Sequence, residues 1–166
     1  SIRHLLKHAP EGATARPEAQ LLLFAASRAQ IVRTVIQPFL NAGGWVLCDR
    51  FCDSTVVFQG VAGGLGEETV SQVNQVAMGD CLPGLTLLLD IPVEESFKRL
   101  KARPRPQGEV DHFDDQSAAY FEKVRAGYLS LAQKEENRIL KLNGLLDADQ
   151  VEKNIWERVS HAFSIE

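Results

Sequence analysis

Long apolar runs are absent. The longest stretch without a charge, Thr34 to Cys48, is interrupted by Pro38, Gly43 and Gly44, and falls short of the roughly 18 residues that suggest a bilayer-spanning helix. Cysteine is scarce: Cys48, Cys52 and Cys81 form an odd set without C-x-x-C. That excludes a disulfide scaffold and fits buried, inert thiols in a reducing cytoplasm. There is no excess of positive charge, since 18 Lys and Arg face 22 Asp and Glu for a formal net charge of -4. Nothing global therefore points to nucleic acid or a membrane surface as partner. Low-complexity tracts, internal repeats and a Ser-His-Asp order are missing, and the opening residues do not read as a secretory leader. No Gly-Lys dipeptide occurs anywhere in the 166 residues, so the chain contains no G-x-x-x-x-G-K-[ST] phosphate loop. What is present is a globular composition, 45% hydrophobic and 24% charged, in a length that suits one domain with a sizeable core.

Three short apolar runs predict strands: Trp45–Cys48, Leu85–Ile91 and Arg138–Leu142. Continuous apolarity over such lengths suits strands covered on both faces, as in a parallel sheet. Helical spacing lies between them. Pro17–Leu40 has proline at a first helical position and glycines just after, with Pro38 bending its last turn. Glu67–Met78 opens on two acids, Pro92 opens a helix to about Ala102, and Ser117–Gln133 and Asp147–Phe163 carry strong helical patterns. Alternating strands and helices predict a single α/β domain with right-handed crossovers. Trp156, on the last helix, is expected to anchor the core or an interface. His4 and His8, spaced H-x-x-x-H, lack a third ligand and are read as exposed.

Asp49 and Arg50 follow the first predicted strand directly. Ligands of open α/β sheets bind beyond the carboxyl ends of strands, and arginine's planar fork suits phosphate. The dipeptide alone reads first as a structural ion pair or a helix cap. Phe24 and Arg28, four apart on one helical face, could stack a flat base and bond its carbonyl edge. They also read as a core ring beside a surface cation. Ser54, Thr55 and Gln59 offer small donors and acceptors, with Phe58 among them. Gly60, Gly63, Gly64 and Gly66 make a turn-rich stretch.

LLLFAASRAQ (21–30), CDRFCDSTVVFQG (48–60) and LPGLTLLLDIP (82–92), in this order and spacing, resemble the bacterial thymidylate kinase family. The resemblance runs from about Ile2 to the C-terminus. It implies a P-loop nucleotide-kinase-like parallel sheet flanked by helices, and transfer of the γ-phosphate of ATP to dTMP with Mg²⁺. By it, Phe24 stacks on thymine, Arg28 bonds its O4 edge, and Thr55 and Gln59 lie near N3. Arg50 binds the substrate phosphate, Arg3 contacts it, and Asp49 supports Arg50 and the magnesium region. Phe58 stands where the family usually has Tyr, keeping the bulk that favours deoxyribose and losing the hydroxyl. Family members are commonly homodimers, and the apolar helices at 17–40 and 67–78 are plausible contact faces.

The resemblance also implies a lid at about 99–115, within KRLKARPRPQGEVDHFDD (98–115). Arginines aimed at a transferring phosphoryl group stabilise its developing charge. By itself this basic stretch reads first as a solvated helix end with cations near the negative pole. The Asp-Arg pair expected there reads Asp111-His112, leaving Arg103 and Arg105 as the substitutes. By the resemblance, the first two strands and the phosphate loop precede Ser1. The expectation is a C-terminal portion of a longer enzyme, inactive by itself, or else a degenerate relative. A deoxynucleoside kinase and a non-catalytic nucleotide-binding or interaction module are the alternatives.

Overall fold

The computed structural model describes residues 2–8, 14–102 and 116–165. They fall into two compact units, one drawn from 1–82 and 105–124, the other from 83–104 and 125–166.

The first unit is helical. Helix α1 (Ile2–His8) precedes α2 (Pro17–Ile31), which carries Pro17 and Glu18 in its first turn, where a missing N–H costs nothing and an acid faces the positive pole. Beyond Ile31 the helix widens into a π-helical turn, Val32–Ile36, and ends as α3 (Gln37–Asn41). Pro38 accounts for the irregularity. It has no N–H for the carbonyl four residues back, and its ring crowds that carbonyl. The preceding turn therefore opens, and Gln37 N–H reaches Val32 O, one residue farther than in an α-helix. The helix predicted over Pro17–Leu40 is present with this widened turn inside it.

A short helix α4 (Cys52–Thr55) continues as a second π-helical segment, Val56–Ala62. Glycine-rich punctuation hides this element in the sequence. Gly66, at φ 82°, turns the chain into α5 (Glu67–Met78), whose bounds are those predicted. Arg33, in the widened turn after α2, ties that helix to α5: its Nη1 donates to Ala77 O at 2.8 Å and Nη2 to Val76 O at 3.2 Å, satisfying carbonyls that a helix end leaves bare. Leu6, Leu21, Ala25, Val32, Val57, Val70, Ala77 and Met78 form the buried core of this unit.

The strand predicted at Trp45–Cys48 does not form. These residues carry no ladder and are exposed, Leu47 by 98%. A strand exists by pairing its N–H and C=O groups with a neighbour, and none of the described residues supplies one. Cys48 is correspondingly exposed, not buried, with Sγ 3.3 Å from Arg50 O, whereas Cys52 is buried.

The second unit holds the sheet. Strand β1 (Thr86–Asp90) pairs in parallel with β2 (Ile139–Asn143), Thr86 opposite Ile139 and Asp90 opposite Asn143. Gly144 then passes so close to β1 that a Cβ would lie 2.7 Å from Ile91 Cγ2, and its N–H donates to Asp90 O at 3.0 Å. Around the strands are α6 (Val93–Ala102), the later part of α7 (Ala118–Lys134), and α8 (Ala148–Phe163). At β1's carboxyl end, Arg125 grips Asp90 with two bonds, Nε to Oδ1 at 2.7 Å and Nη2 to Oδ2 at 3.1 Å. Trp156 is 57% exposed and so is not a core anchor: its position on α8 turns it outward.

Candidate functional site

Helix α2 and the α4–π helix carry most of the residues singled out in the sequence. Gln20, Phe24 and Arg28 are spaced by four along α2 and share one face. Thr55 and Gln59 have the same spacing on the second helix. Two rungs join the faces. Arg28 Nη2 donates to Thr55 Oγ1 at one end, and Gln59 Nε2 donates to Gln20 Oε1 at 3.3 Å at the other. Residue order is reversed between the rungs, so the helices run antiparallel. Half-buried Phe24 lies between the rungs along α2.

Arg28 is the most constrained of these groups. It is only 8% exposed. Nη1 donates to Asn74 Oδ1 at 2.7 Å, Nη2 also reaches Phe51 O at 3.3 Å, and the guanidinium lies 5.3 Å from the Phe51 ring centroid. Burial lowers its pKa, opposed by the fields of Cys52, Cys48 and Asp53; a guanidinium remains charged nonetheless. Of its five N–H donors, Nε and one on Nη1 have no protein partner among the described residues. These donors can serve an acceptor that a ligand brings, and the carbonyl of a flat ligand against Phe24 would supply one.

Asp49 and Arg50 lie in the turn before α4, both exposed. Arg50 has φ 66°, a left-handed backbone uncommon for a side chain with a Cβ. Its guanidinium sits 5.2 Å from the Phe58 ring centroid. Phe58 in turn lies 6.4 Å from the Tyr120 ring, and Tyr120 packs edge-on against Phe121 at 5.8 Å. Burial pushes the Tyr120 hydroxyl pKa up.

Direct contacts thus bring Arg28 to Thr55, and Arg50 to Phe58; Gln59 joins the same helix pair through Gln20. Arg3 lies on α1, but its side chain is outside the described residues, as are Arg103, Arg105 and most of the lid expected at about 99–115. Residues 99–102 continue α6. Among the described residues, no group of three or more His, Cys, Asp and Glu could hold a metal, and no helix is long and apolar enough to cross a membrane. Sequence reasoning missed Gln20, Phe51, Asn74 and Tyr120. Gln20 was legible as the residue four before Phe24. Asn74 was legible as a polar residue in the buried stripe of α5, beside Val70, Ala77 and Met78.

The family model described as thymidylate kinase matches residues 1–155. The chain belongs to the thymidylate kinase family. The thymidylate kinase of Syntrophotalea carbinolica is 43% identical over 166 residues, covering 99% of this chain and 76% of its own. That of Bradyrhizobium diazoefficiens is 39% identical over 155 residues, covering 93% and 67%. That of Kosmotoga olearia is 41% identical over 139 residues, covering 84% and 65%. The chain therefore spans about two thirds to three quarters of these relatives. Thymidylate kinases are phosphotransferases that convert dTMP to dTDP on a P-loop kinase fold. Among the described residues, the parallel strands of that fold are the pair β1–β2.

Proposed function

We propose that the chain is one nucleoside monophosphate kinase domain that carries the dTMP-binding side of this reaction. Thymine lies against Phe24, with O4 accepting from the unpartnered donors of Arg28 and the N3 edge near Thr55 and Gln59. Arg50 and Arg3 hold the 5′-phosphate, Phe58 crowds the sugar 2′ position, and Asp49 steadies the region of the transferred group. Arg103 and Arg105, on the lid, neutralise charge on the donor phosphates. The observation that carries the reading is the Arg28 guanidinium, buried and aimed by Asn74, Thr55 and Phe51 O, with donors to spare.

Mechanistically, phosphoryl transfer asks little covalent chemistry of a protein. It needs the acceptor oxygen held in line and the developing charge balanced. Arg28 and Phe24 set the base, and Arg50 sets the phosphate. The left-handed Arg50 backbone, with the Phe58 ring under its guanidinium, supports a pre-aimed cation. ATP with Mg²⁺ is the family's usual donor. Mg²⁺ keeps several waters and takes most other ligands from phosphates, so one exposed carboxylate, Asp49, fits the protein's share.

These 166 residues contain no Gly-Lys dipeptide, so the polypeptide by itself lacks the donor's phosphate loop, and we infer that the strands flanking that loop lie outside it. Exposed Trp45, Val46 and Leu47 support that reading. Free thiols at Cys48, Cys52 and Cys81 suit a cytoplasmic setting. Exposed Leu22, Val35, Phe39 and Val76 on α2, the π turn, α3 and α5 suit a homodimer face.

Calorimetry on this polypeptide with dTMP, thymidine and ATP tests the proposal. The expected result is one dTMP site, weaker binding of thymidine, loss of dTMP binding in Arg50→Glu, and no turnover with ATP and Mg²⁺. Preference for thymidine, or an unchanged dTMP affinity in Arg50→Glu, would overturn the assignment of the phosphate grip. Formation of dTDP would overturn the absent donor loop.

A further inference from the structure

We infer that Asn74, on α5, is the positioning residue that aims Arg28 at the base, an inference that rests on the O4 role proposed above. Asn74 is only 4% exposed. Its Oδ1 accepts from Arg28 Nη1 at 2.7 Å, while its Nδ2 donates to Cys52 O at 3.3 Å. The second bond matters as much as the first. An amide has distinct donor and acceptor ends, and the Cys52 carbonyl, at the start of α4, decides which end faces the guanidinium. One side chain thereby ties three helices, α2, α4 and α5, at the point where Arg28 must keep its plane.

The need follows from the guanidinium's environment. Thr55 and Phe51 O both hold Nη2, which leaves the group able to swing about that end. Asn74 holds Nη1 and stops the swing, so the remaining donors keep one direction before any ligand arrives. Binding gains when such a donor is aimed in advance, because its rotamers are not ordered at the moment of binding. Arg33, whose guanidinium caps the end of α5 at Val76 O and Ala77 O, fixes the register that puts Asn74 opposite Arg28.

The test compares two ligands, dTMP and the analogue in which hydrogen replaces O4 on the same base, by calorimetry against Asn74→Leu, Asn74→Asp, Arg28→Ala and the Arg28→Ala/Asn74→Leu pair. Asn74→Leu is expected to weaken dTMP about tenfold and to leave the O4-less analogue nearly unchanged. Asn74→Asp loses the bond to Cys52 O, but its carboxylate needs no orienting and accepts from Nη1 in a charge-assisted bond that offsets the loss, so it is expected to restore dTMP binding to within about threefold of the parent. The paired variant should bind no worse than Arg28→Ala alone, since both changes break one coupling. Equal losses for the two ligands would mean that Asn74 only supports the fold, and would overturn the inference. So would failure of Asn74→Asp to restore binding. If Asn74→Leu does not fold, Asn74→Asp carries the test through its ligand selectivity, which must match the parent's. If Arg28→Ala itself leaves dTMP affinity intact, the base pocket fails first. If Arg28→Ala weakens dTMP and Asn74→Leu does not, the pocket stands and the role of Asn74 falls.

Discussion

Arg50 joins a left-handed backbone, φ 66°, to a guanidinium 5.2 Å from the Phe58 ring centroid. The backbone costs an L-residue about 1–2 kcal/mol, a cost that glycine escapes, though glycine gives back about 0.5–1 kcal/mol in chain entropy. Arg50→Ala and Arg50→Gly lose the same ring contact and, on the function proposed above, the same grip on the substrate phosphate. They differ in the backbone alone. Arg50→Gly is expected to resist urea by about 0.5–1 kcal/mol more than Arg50→Ala, with dTMP binding lost in both. Equal stabilities would show that the turn is unstrained. Strain held at a ligand-facing turn is a familiar way to fix a side chain's direction, and the sequence carries no sign of it, because Asp-Arg fits many turns. Arg28 was legible at this scale through its spacing from Phe24. Its partners were not, since Asn74 is 46 residues away in sequence and nothing local links the two.

At the scale of elements, helix ends and charge clamps set the balance. Asp147 caps α8, its Oδ1 accepting from Gln150 N–H at 2.9 Å. Asp147→Ala should cost about 1 kcal/mol, read by chemical denaturation, while Asp147→Ser should recover most of it. Asp90 closes β1 and is gripped twice by Arg125, whose hydrogen bonds hold its carboxyl below the usual range, against the upward push of burial. A carboxylate whose pKa is depressed on folding adds stability above its unfolded pKa, near 4. That contribution is lost as pH falls through the folded value. Asp90→Asn should thus be less stable than the parent by about 1 kcal/mol at pH 7, a figure reduced for a clamp that solvent partly screens. The gap should close below about pH 4, as denaturation at pH 7 and pH 3 would show. A gap unchanged at pH 3 would mean that packing, not charge, is what Asp90 supplies. Predicted helices held because their signals are local: Pro17, Glu67 and Asp147 each start a helix where the chain says so. The α4–π helix was not legible, since four glycines between 60 and 66 mask a helix held by its neighbours.

At the scale of the whole molecule, the balance of exposed and buried apolar surface governs association. Val76 is exposed on α5, and Leu22, Val35 and Phe39 are exposed along α2 and its continuation. On the homodimer proposed above, Val76→Asp places a charge where apolar surface must be buried, and it should shift sedimentation from dimer toward monomer. Unchanged sedimentation would remove this face from the interface. Val76 faces away from Arg28 on its helix, whose buried stripe is Val70, Asn74, Ala77 and Met78. The dTMP affinity of a monomeric variant should therefore stay close to the parent's.

The sequence by itself determined what depends on near neighbours. It set where most helices start and stop, two of the runs that become strands, and which family the order of motifs resembles, because propensity, capping and spacing act within a few residues. Tertiary structure alone decided the rest. It left Trp45–Cys48 outside any β-ladder among the described residues despite its strand-like run, because a strand depends on a neighbouring strand that its own residues cannot supply. It also gave Arg28 its direction, because the groups that hold a buried guanidinium come from α4 and α5, and only folding brings them to one place.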